Sequence, residues 1–384
     1  MTQIQAIYLT DVTKTSHIAE LSKDLNLKLT IISPWFPKSK FVKSLLKASS
    51  KITSIVSNRQ NNTTTGVRYK NIGPQQFLIP IIRHILSRNS NRKIIEFVNR
   101  LTQLQFFIAF LRYDLVIVTD EVFPLLVKPR QKVLVEVRGN LPIAVKLRVT
   151  NQLNSPLKAF ESSASFSKNW KRILNRADGY LVYSDSTKQQ LLMSGVPKQK
   201  IAVQPLRQID SSGSTMFIQS NRIENSLLFV GRDGLLKGLD LAILVAKEMN
   251  LGLTAIGNFS PSTNSWLATF DFVTNLGSLP HSQVLKTMTR HKVVISPGIE
   301  SFGYAILEAL ENGCKVVTTK YSGVTTWIKD NENLVLCEEL SLDSLSQGVE
   351  IALQSPNSFK SNLKLVNSKQ SQTWDKLIHR VINV

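Results

Sequence analysis

A short segment in the second half of the chain places two cations between glycines, directly after an apolar run. The run ends at Val230, and Gly231, Arg232, Lys237 and Gly238 follow it. A guanidinium donates a bidentate fork that suits phosphate oxygens, and the free N–H groups at a helix N-terminus also favour phosphate. Because a helix is predicted to begin near Gly238, we expect Arg232 and Lys237 to bind a phosphate-bearing ligand. Either cation alone would be interpreted as a solvated surface charge.

A second segment places two carboxylates at a turn and in the helix after it. An apolar run over residues 293–296 leads into a turn that contains Glu300 and Gly303. Glu308 follows, about two turns into the next helix if that helix starts near Phe302. Carboxylates accept hydrogen bonds from hydroxyl groups, so the pair suits an extended ligand with hydroxyl groups at both ends. Glu308 alone is equally typical of a helix surface, whereas a glutamate beside Gly303 at a strand end has no packing role.

Together these segments resemble the donor-binding half of retaining glycosyltransferases with the GT-B architecture, in the large family 4. That family has a Gly-Arg…Lys-Gly loop and a Glu-x7-Glu motif whose first glutamate begins Glu-Gly-Phe-Gly or Glu-Ser-Phe-Gly. The residues of this chain that match the two motifs are Gly231, Arg232, Lys237, Gly238, Glu300, Ser301, Phe302, Gly303 and Glu308. The resemblance covers roughly residues 170–330 and includes residues 256–258 and 276–280.

The resemblance implies a role for each matching side chain. Arg232 and Lys237 should bind the diphosphate of a nucleotide sugar and, with Glu300, carry the catalysis. Glu300 should hold hydroxyl groups of the donor sugar, and Glu308 should hold the ribose. The implied donor-binding residues are Gly231, Arg232, Lys237, Leu279, Glu300, Ser301, Phe302, Gly303, Tyr304 and Glu308. Thr326 departs from the family pattern, because it stands where a Gly-Gly-x-x-Glu element would place its glutamate.

The first half of the chain resembles the family less closely. Residues 176–184 fit the last strand of the family's first domain, and the likeness fades upstream. Many relatives have a histidine at the end of an earlier strand, and Arg138 takes roughly that place here. Arg138 and His17 are therefore the acceptor-side candidates, although a single histidine is more often a helix-surface residue. Asp11 and Glu136 are weaker candidates.

Transfer from a nucleotide sugar builds positive charge on the sugar ring and negative charge on the leaving diphosphate. Cations fixed beside the diphosphate stabilise the charge that develops there. Many sugar transferases of other folds hold Mg2+ or Mn2+ with an Asp-x-Asp motif, which this chain lacks. We therefore expect no metal and no cofactor other than the nucleotide sugar as co-substrate. The resemblance implies retention of the anomeric configuration, and a same-face attack assisted by the leaving phosphate fits the lack of an evident nucleophile.

These segments need parallel sheets that bring strand ends side by side. Apolar runs that predict strands, such as 293–296 and 315–318, alternate with stretches that predict helices, such as 281–291 and 304–312, which indicates an α/β architecture. We predict two Rossmann-like doubly wound domains that face each other across a cleft, as in GT-B, with ligands at the carboxyl ends of the strands. The predicted parts are an acceptor-side domain over 1–207, a linker over 208–226, a nucleotide-sugar-binding domain over 227–365 and a C-terminal helix over 366–384 that crosses back to the first domain.

The net charge of +20 is distributed unevenly. Residues 1–190 contain 29 Lys or Arg and 11 Asp or Glu, a net of +18, and no acidic residue lies between Asp24 and Glu96. The basic segment 28–93 suits an anionic membrane surface, since lysines recur at helical spacing within 38–51. Nucleic acid is the rival partner for so basic a chain. We expect none, because no zinc spacing or aromatic RNA-binding motif occurs and the two glutamates would have no role.

The leading hypothesis is a cytoplasmic glycosyltransferase, peripheral at the inner face of the cell membrane, that builds a bacterial surface polysaccharide or glycolipid. Two cysteines are too few for a disulfide framework, and neither a signal peptide nor an apolar run of membrane length is evident. The alternatives are a related nucleotide-sugar enzyme such as an epimerase, and a non-catalytic scaffold that kept the fold. The departure at Thr326 favours the scaffold, whereas the intact Arg232 and Glu300 speak against it.

Overall fold

The computed structural model describes ten stretches of the chain, and the structural statements below concern these residues. They are residues 4–9, 27–32, 68–69, 114–120, 131–148, 155–157, 163–204, 222–328, 331–356 and 371–382. Strands and helices are numbered within them in chain order. Most of the basic segment 28–93 lies outside the described residues, as do Asp11 and His17.

The first sheet contains seven parallel strands in the order β3-β2-β1-β4-β5-β6-β7. The strands are β1 (Ile4–Leu9), β2 (Leu27–Ile32), β3 (Arg68–Tyr69), β4 (Leu115–Thr119), β5 (Lys132–Glu136), β6 (Gly179–Val182) and β7 (Ile201–Val203). Strands covered on both faces are nearly continuous apolar runs, and all five residues of β4 are buried. The direction of winding reverses between β1 and β4, so a ligand crevice is expected at their carboxyl ends.

The second sheet contains six parallel strands in the order β10-β9-β8-β11-β12-β13. The strands are β8 (Ile223–Val230), β9 (Gly252–Ile256), β10 (Val273–Gly277), β11 (His291–Ser296), β12 (Lys315–Thr319) and β13 (Leu334–Cys337). Here the winding reverses between β8 and β11, the two strands that precede the motif segments. The predicted α/β class with two doubly wound parallel sheets is confirmed.

Helices connect the strands and cover the sheets. They are α1 (Ile143–Leu147), α2 (Ala164–Arg176), α3 (Asp185–Met193), α4 (Leu239–Glu248), α5 (Pro261–Leu267), α6 (His281–Met288), α7 (Tyr304–Glu311), α8 (Leu342–Gln354) and α9 (Ser371–Ile382). Serine caps several of them: the Ser184 hydroxyl, for example, accepts a hydrogen bond from Thr187 N. No helix among the described residues is long and apolar enough to cross a bilayer.

The helix predicted over 304–312 is confirmed as α7. It begins at Tyr304 rather than near Phe302, because Gly303 has a left-handed backbone with φ of +100° and closes the preceding turn. Such a conformation costs little only for glycine. Glu308 therefore lies about one turn into α7, rather than two.

Two other boundaries also differ. β8 begins at Ile223, so the last four residues of the predicted linker belong to a strand. The helix predicted over 281–291 ends at Met288 instead, since His291 opens β11. The His291 side chain is buried, and its Nε2 lies 3.0 Å from Thr254 Oγ1 on the second sheet. This long-range contact favours the strand over another helical turn.

The two halves of the chain pack against each other. One apolar cluster combines residues of the first sheet, such as Leu134, with residues of α7 and β12, such as Ile306 and Val316. The helix α9 contributes Trp374 and Ile378 to the same cluster and contacts β5, β6 and β7. The carboxyl edges of both sheets are thereby held close together, which is where the candidate site lies.

Candidate functional site

The two predicted motif segments meet at the carboxyl edge of the second sheet. Lys237 ends a short 3-10 turn, Leu235–Lys237, that follows β8, and Glu300 lies in the turn after β11. Lys237 Nζ donates a hydrogen bond to Glu300 Oε2 at 2.5 Å. The two side chains are 22% and 18% exposed, so a ligand entering from solvent can contact both charges.

Backbone packing fixes Glu300 against the preceding motif turn. Ile299 N donates a hydrogen bond to Leu236 O at 2.7 Å and joins the two turns directly. A Cβ atom on Gly298 would lie only 2.4 Å from Leu236 O, so no larger residue fits without moving backbone. On its other side, Glu300 forms a parallel bridge with Ser322. The backbone of Glu300 is therefore fixed by main-chain contacts on both sides, and Lys237 contacts its carboxylate.

Arg232 lies in the loop between β8 and the Leu235–Lys237 turn. This loop packs tightly, because a Cβ atom on Gly257 would lie 1.9 Å from Gly231 O. Asp233 anchors it by accepting a hydrogen bond from Ser260 N at 2.9 Å. Arg232 itself is exposed and forms no ion pair with any described residue. Its guanidinium can therefore turn toward an anionic ligand without breaking a contact of the described structure.

Glu308 has a partner that the sequence did not predict. Its Oε1 lies 2.9 Å from Nε2 of His281, the first residue of α6. The imidazole is 69% exposed and the carboxylate side chain 28% exposed. The carboxylate therefore remains open to solvent, as binding of a ribose would require.

Tyr304 connects Glu308 to the first half of the chain. Burial raises the pKa of its phenol, and the charges of Arg138, Glu136 and Glu308 act on the same group. The residue is still 42% exposed. Tyr304, which is predicted to bind the donor, therefore lies between Glu308, which is predicted to hold the ribose, and a charged cluster at the edge of the first sheet.

That cluster stands at the carboxyl edge of the first sheet. Glu136, the last residue of β5, is fully buried and accepts hydrogen bonds from Arg138 Nε, at 2.9 Å, and from the Tyr183 hydroxyl. Asp120 follows β4 and accepts a hydrogen bond from Arg138 N at 3.0 Å. Desolvation by burial raises the pKa of Asp120 to about 6, against the lowering effect of its backbone hydrogen bonds. Both acids thus hold Arg138, the predicted acceptor-side residue.

The edges of the two sheets contact each other through the Glu300 turn. Ser301 Oγ donates a hydrogen bond to Arg138 O at 2.5 Å, and Ser184 Oγ donates one to Ser301 O at 2.8 Å. Trp327 Nε1 donates another to Tyr183 O at 2.7 Å. The predicted donor and acceptor residues therefore face one region between the halves.

Three further positions of the matching segments have structural contacts. Phe302 is buried in the apolar core, and the partly buried Leu279 packs against the same core. Thr326 Oγ1 accepts a hydrogen bond from Asp185 N, at 3.3 Å, at the start of α3. The residue that departs from the family pattern thus contributes to the contact between the halves.

Asp120 was missed in the sequence, although its position directly after a buried strand is a signal for a site residue.

We expect Asp120→Asn to stabilise the protein at neutral pH. The folded-state pKa of about 6 exceeds the ordinary value of 3.8, so the folded protein binds its proton more tightly than the unfolded chain. Stability is therefore lost as the pH rises between these values, by about 3 kcal/mol at most. Asparagine avoids this loss and still accepts the Arg138 N–H.

Urea denaturation of both proteins at pH 4 and pH 7.5 measures this effect. The variant should have a higher free energy of unfolding than the wild type, and this difference should be larger at pH 7.5 than at pH 4. A difference that is the same at both pH values would contradict the assignment of a raised pKa to Asp120.

Residues 217–371 match the family Glycosyl transferases group 1. The matched residues include β8 to β13 and both motif segments. No curated protein matches the chain in sequence.

Solved structures match nearly the whole chain. The lipopolysaccharide outer core galactosyltransferase WaaB is 12% identical over 98% of this chain and 99% of that chain, with a TM-score of 0.57. Sucrose-phosphate synthase from Thermosynechococcus elongatus is 13% identical over 99% and 94%, with a TM-score of 0.54. An S. aureus TarM mutant in complex with Fondaparinux, alpha-GlcNAc-glycerol and UDP is 14% identical over 100% of both chains, with a TM-score of 0.54. These likenesses confirm the two-domain GT-B fold.

Proposed function

We propose that this chain is a glycosyltransferase that moves a sugar from a nucleotide diphosphate sugar to a saccharide or lipid-linked acceptor, with retention and without a metal ion. The observation that carries the proposal is the Lys237–Glu300 pair at the point where the second sheet reverses its winding. The pair places a cation for a diphosphate beside a carboxylate for hydroxyl groups. It lies within the segment that matches the glycosyltransferase family.

In the proposed mechanism, the second half of the chain binds the donor. Lys237 and Arg232 bind the diphosphate and stabilise the negative charge that grows on it as the anomeric C–O bond breaks. Glu300 accepts hydrogen bonds from hydroxyl groups of the sugar, and Glu308 accepts them from the ribose. The positive charge that develops on the sugar ring is offset by the nearby Glu300 carboxylate and the leaving phosphate.

The acceptor approaches from the edge of the first sheet, past Arg138 and Tyr304. Its hydroxyl oxygen attacks the anomeric carbon on the face from which the diphosphate departs. An oxygen of the leaving phosphate takes the hydroxyl proton, so the new C–O bond forms without a nucleophilic side chain. This course retains the anomeric configuration and uses only groups present at the described site and on the donor.

We extend the proposal to acceptors of bacterial surface polysaccharide or glycolipid synthesis. Among the structural neighbours, WaaB is a lipopolysaccharide outer core galactosyltransferase, and the TarM complex contains alpha-GlcNAc-glycerol. The basic segment 28–93 adds support, because a sequence with 13 basic residues and no acidic one suits the anionic inner face of the cell membrane. A lipid-linked acceptor at that membrane would make the enzyme cytoplasmic and peripheral.

A thermal-shift panel tests the proposal. UDP-, GDP- and ADP-sugars, and the three free nucleoside diphosphates, are added to the wild type and to Glu300→Ala. The nucleotides that carry one of the three bases should stabilise the wild type, by about 2.7 kcal/mol when the ligand is at 100 times its Kd. Because Glu300 is assigned to the sugar, the variant should lose the extra stabilisation by the nucleotide sugar and keep that by the free diphosphate.

Other outcomes separate the alternative functions. A wild type that none of the nucleotides stabilises would indicate a scaffold without donor binding. Conversion of the bound nucleotide sugar in the absence of any acceptor would indicate an epimerase or hydrolase. If Glu300→Ala lost stabilisation by the nucleotide sugar and by the free diphosphate equally, the assignment of that carboxylate to the donor sugar would be contradicted.

A further inference from the structure

A buried ion pair joins the two halves beside the donor loop. Arg148, the residue directly after α1 in the first half, donates a hydrogen bond from Nη2 to Asp240 Oδ1 in the second half. The side chains of Arg148 and Asp240 are 0% and 4% exposed. Arg148 Nε also donates to Leu235 O at 3.2 Å. One guanidinium thus binds the main chain and a side chain of the other half.

These two contacts bracket Lys237. Leu235 begins the 3-10 turn that Lys237 ends, and Asp240 lies in the first turn of α4, three positions after the lysine. A single side chain of the first half therefore holds both ends of the segment that carries the proposed diphosphate-binding cation. Ala144 and Leu157 of the first half pack with residues of the same segment, which keeps the region apolar.

The position of Asp240 raises an electrostatic problem for an anionic ligand. The first turn of α4 is where free N–H groups favour a phosphate, and a carboxylate in the same turn opposes it. Charge effects are strong in an apolar region. Among the described residues, the only ion pair of Asp240 is the one with Arg148. The charge that offsets this carboxylate therefore comes from the other half of the protein.

We propose that Arg148 is a positioning residue of the donor site. It neutralises Asp240 and fixes the Leu235–Lys237 turn, so that tight donor binding requires contact between the two halves. The inference rests on the proposed function. It adds a residue from the acceptor side that acts on the donor through Lys237 and touches neither the donor nor the acceptor.

The experiment measures the affinity of the full chain for UDP, GDP and ADP by calorimetry, using the nucleotide that binds the wild type. The variants are Arg148→Met, Asp240→Asn and the double variant, with Arg176→Met as the control. Arg176 is an exposed arginine at the end of α2 in the first half. Removal of one partner leaves a buried charge uncompensated, so Arg148→Met should weaken binding at least tenfold. The control should bind like the wild type.

The double variant separates charge compensation from packing, because coupled residues are non-additive. With Asp240 neutral, loss of Arg148 should weaken binding less than threefold. A double variant as weak as Arg148→Met, or wild-type affinity in Arg148→Met, would overturn the inference. If Arg148→Met fails to fold, Arg148→Lys replaces it. A lysine keeps the charge but lacks the planar fork that bonds Asp240 and Leu235 O from two nitrogens, so its binding should be threefold to tenfold weaker, and wild-type affinity in Arg148→Lys would overturn the inference.

Failure of the proposed function has a different signature. A folded wild type that binds none of the three nucleotides would contradict the function and, with it, this inference. A wild type that binds one of them, together with an Arg148→Met protein of equal affinity, would contradict the inference alone.

Discussion

Glu300→Ala and Lys237→Ala are each expected to lower kcat by about a thousandfold, which corresponds to about 4 kcal/mol of transition-state stabilisation. Lys237 offsets charge that grows on the leaving diphosphate, and Glu300 orients the sugar from which that group departs. Their 2.5 Å contact means that each also positions the other. Release of labelled nucleoside diphosphate in the presence of acceptor measures the loss.

The chain offers a matched control for this pair. Lys320 Nζ lies 3.4 Å from Glu338 Oε2, also in the second half, and the side chains are 47% and 75% exposed. Surface pairs of this kind contribute little to stability, so Lys320→Ala should keep wild-type turnover. All three variants should unfold at nearly the wild-type temperature. Substantial turnover by either folded site variant would remove the basis of the site assignment.

Gly298→Ala is expected to lower turnover by about a hundredfold, although position 298 has no side chain to contact substrate. The new Cβ would meet Leu236 O at 2.4 Å and Lys237 O at 2.6 Å. The two motif turns must then separate, and a misplacement of about 1 Å can cost that much in rate. The overpacked site should also lose about 1–3 kcal/mol of stability.

Steady-state kinetics and urea denaturation of Gly298→Ala test both parts of this prediction. Gly195→Ala is the control, because Gly195 has a φ of +86° and nothing within 4 Å of its added Cβ. That variant should lose about 1 kcal/mol through backbone strain and keep its turnover. If Gly298→Ala retained wild-type turnover, the spacing of the two turns would not matter for the reaction.

The second sheet could be predicted from the sequence because its signals are local. β11 and β12 are short apolar runs followed by polar turns, and each was placed within two residues of its observed bounds. The end of each apolar run marks the end of its strand, so these strand boundaries depend only on neighbouring residues.

The remaining features depend on contacts between distant positions. Arg148 and Asp240 are 92 positions apart, and the pairing of His281 with Glu308 joins two helices. No local pattern identifies such partners. Asp120 was missed for a related reason: its raised pKa arises from burial, which depends on the whole fold. The burial of Phe302 in a core that combines both halves likewise depends on residues far away in the chain.

The placement of α9 has a consequence for the order in which the chain can fold. Its Trp374 lies against Tyr183, with ring centroids 5.7 Å apart, and covers the first sheet. Yet α9 begins 168 positions after β7 ends, with the whole second sheet in between. A ribosome that adds about 5–20 residues per second needs roughly ten to thirty seconds to reach it. Until then the part of the first sheet that α9 contacts, at β5, β6 and β7, lacks this helix, so the first half completes its packing only after the second half has been made.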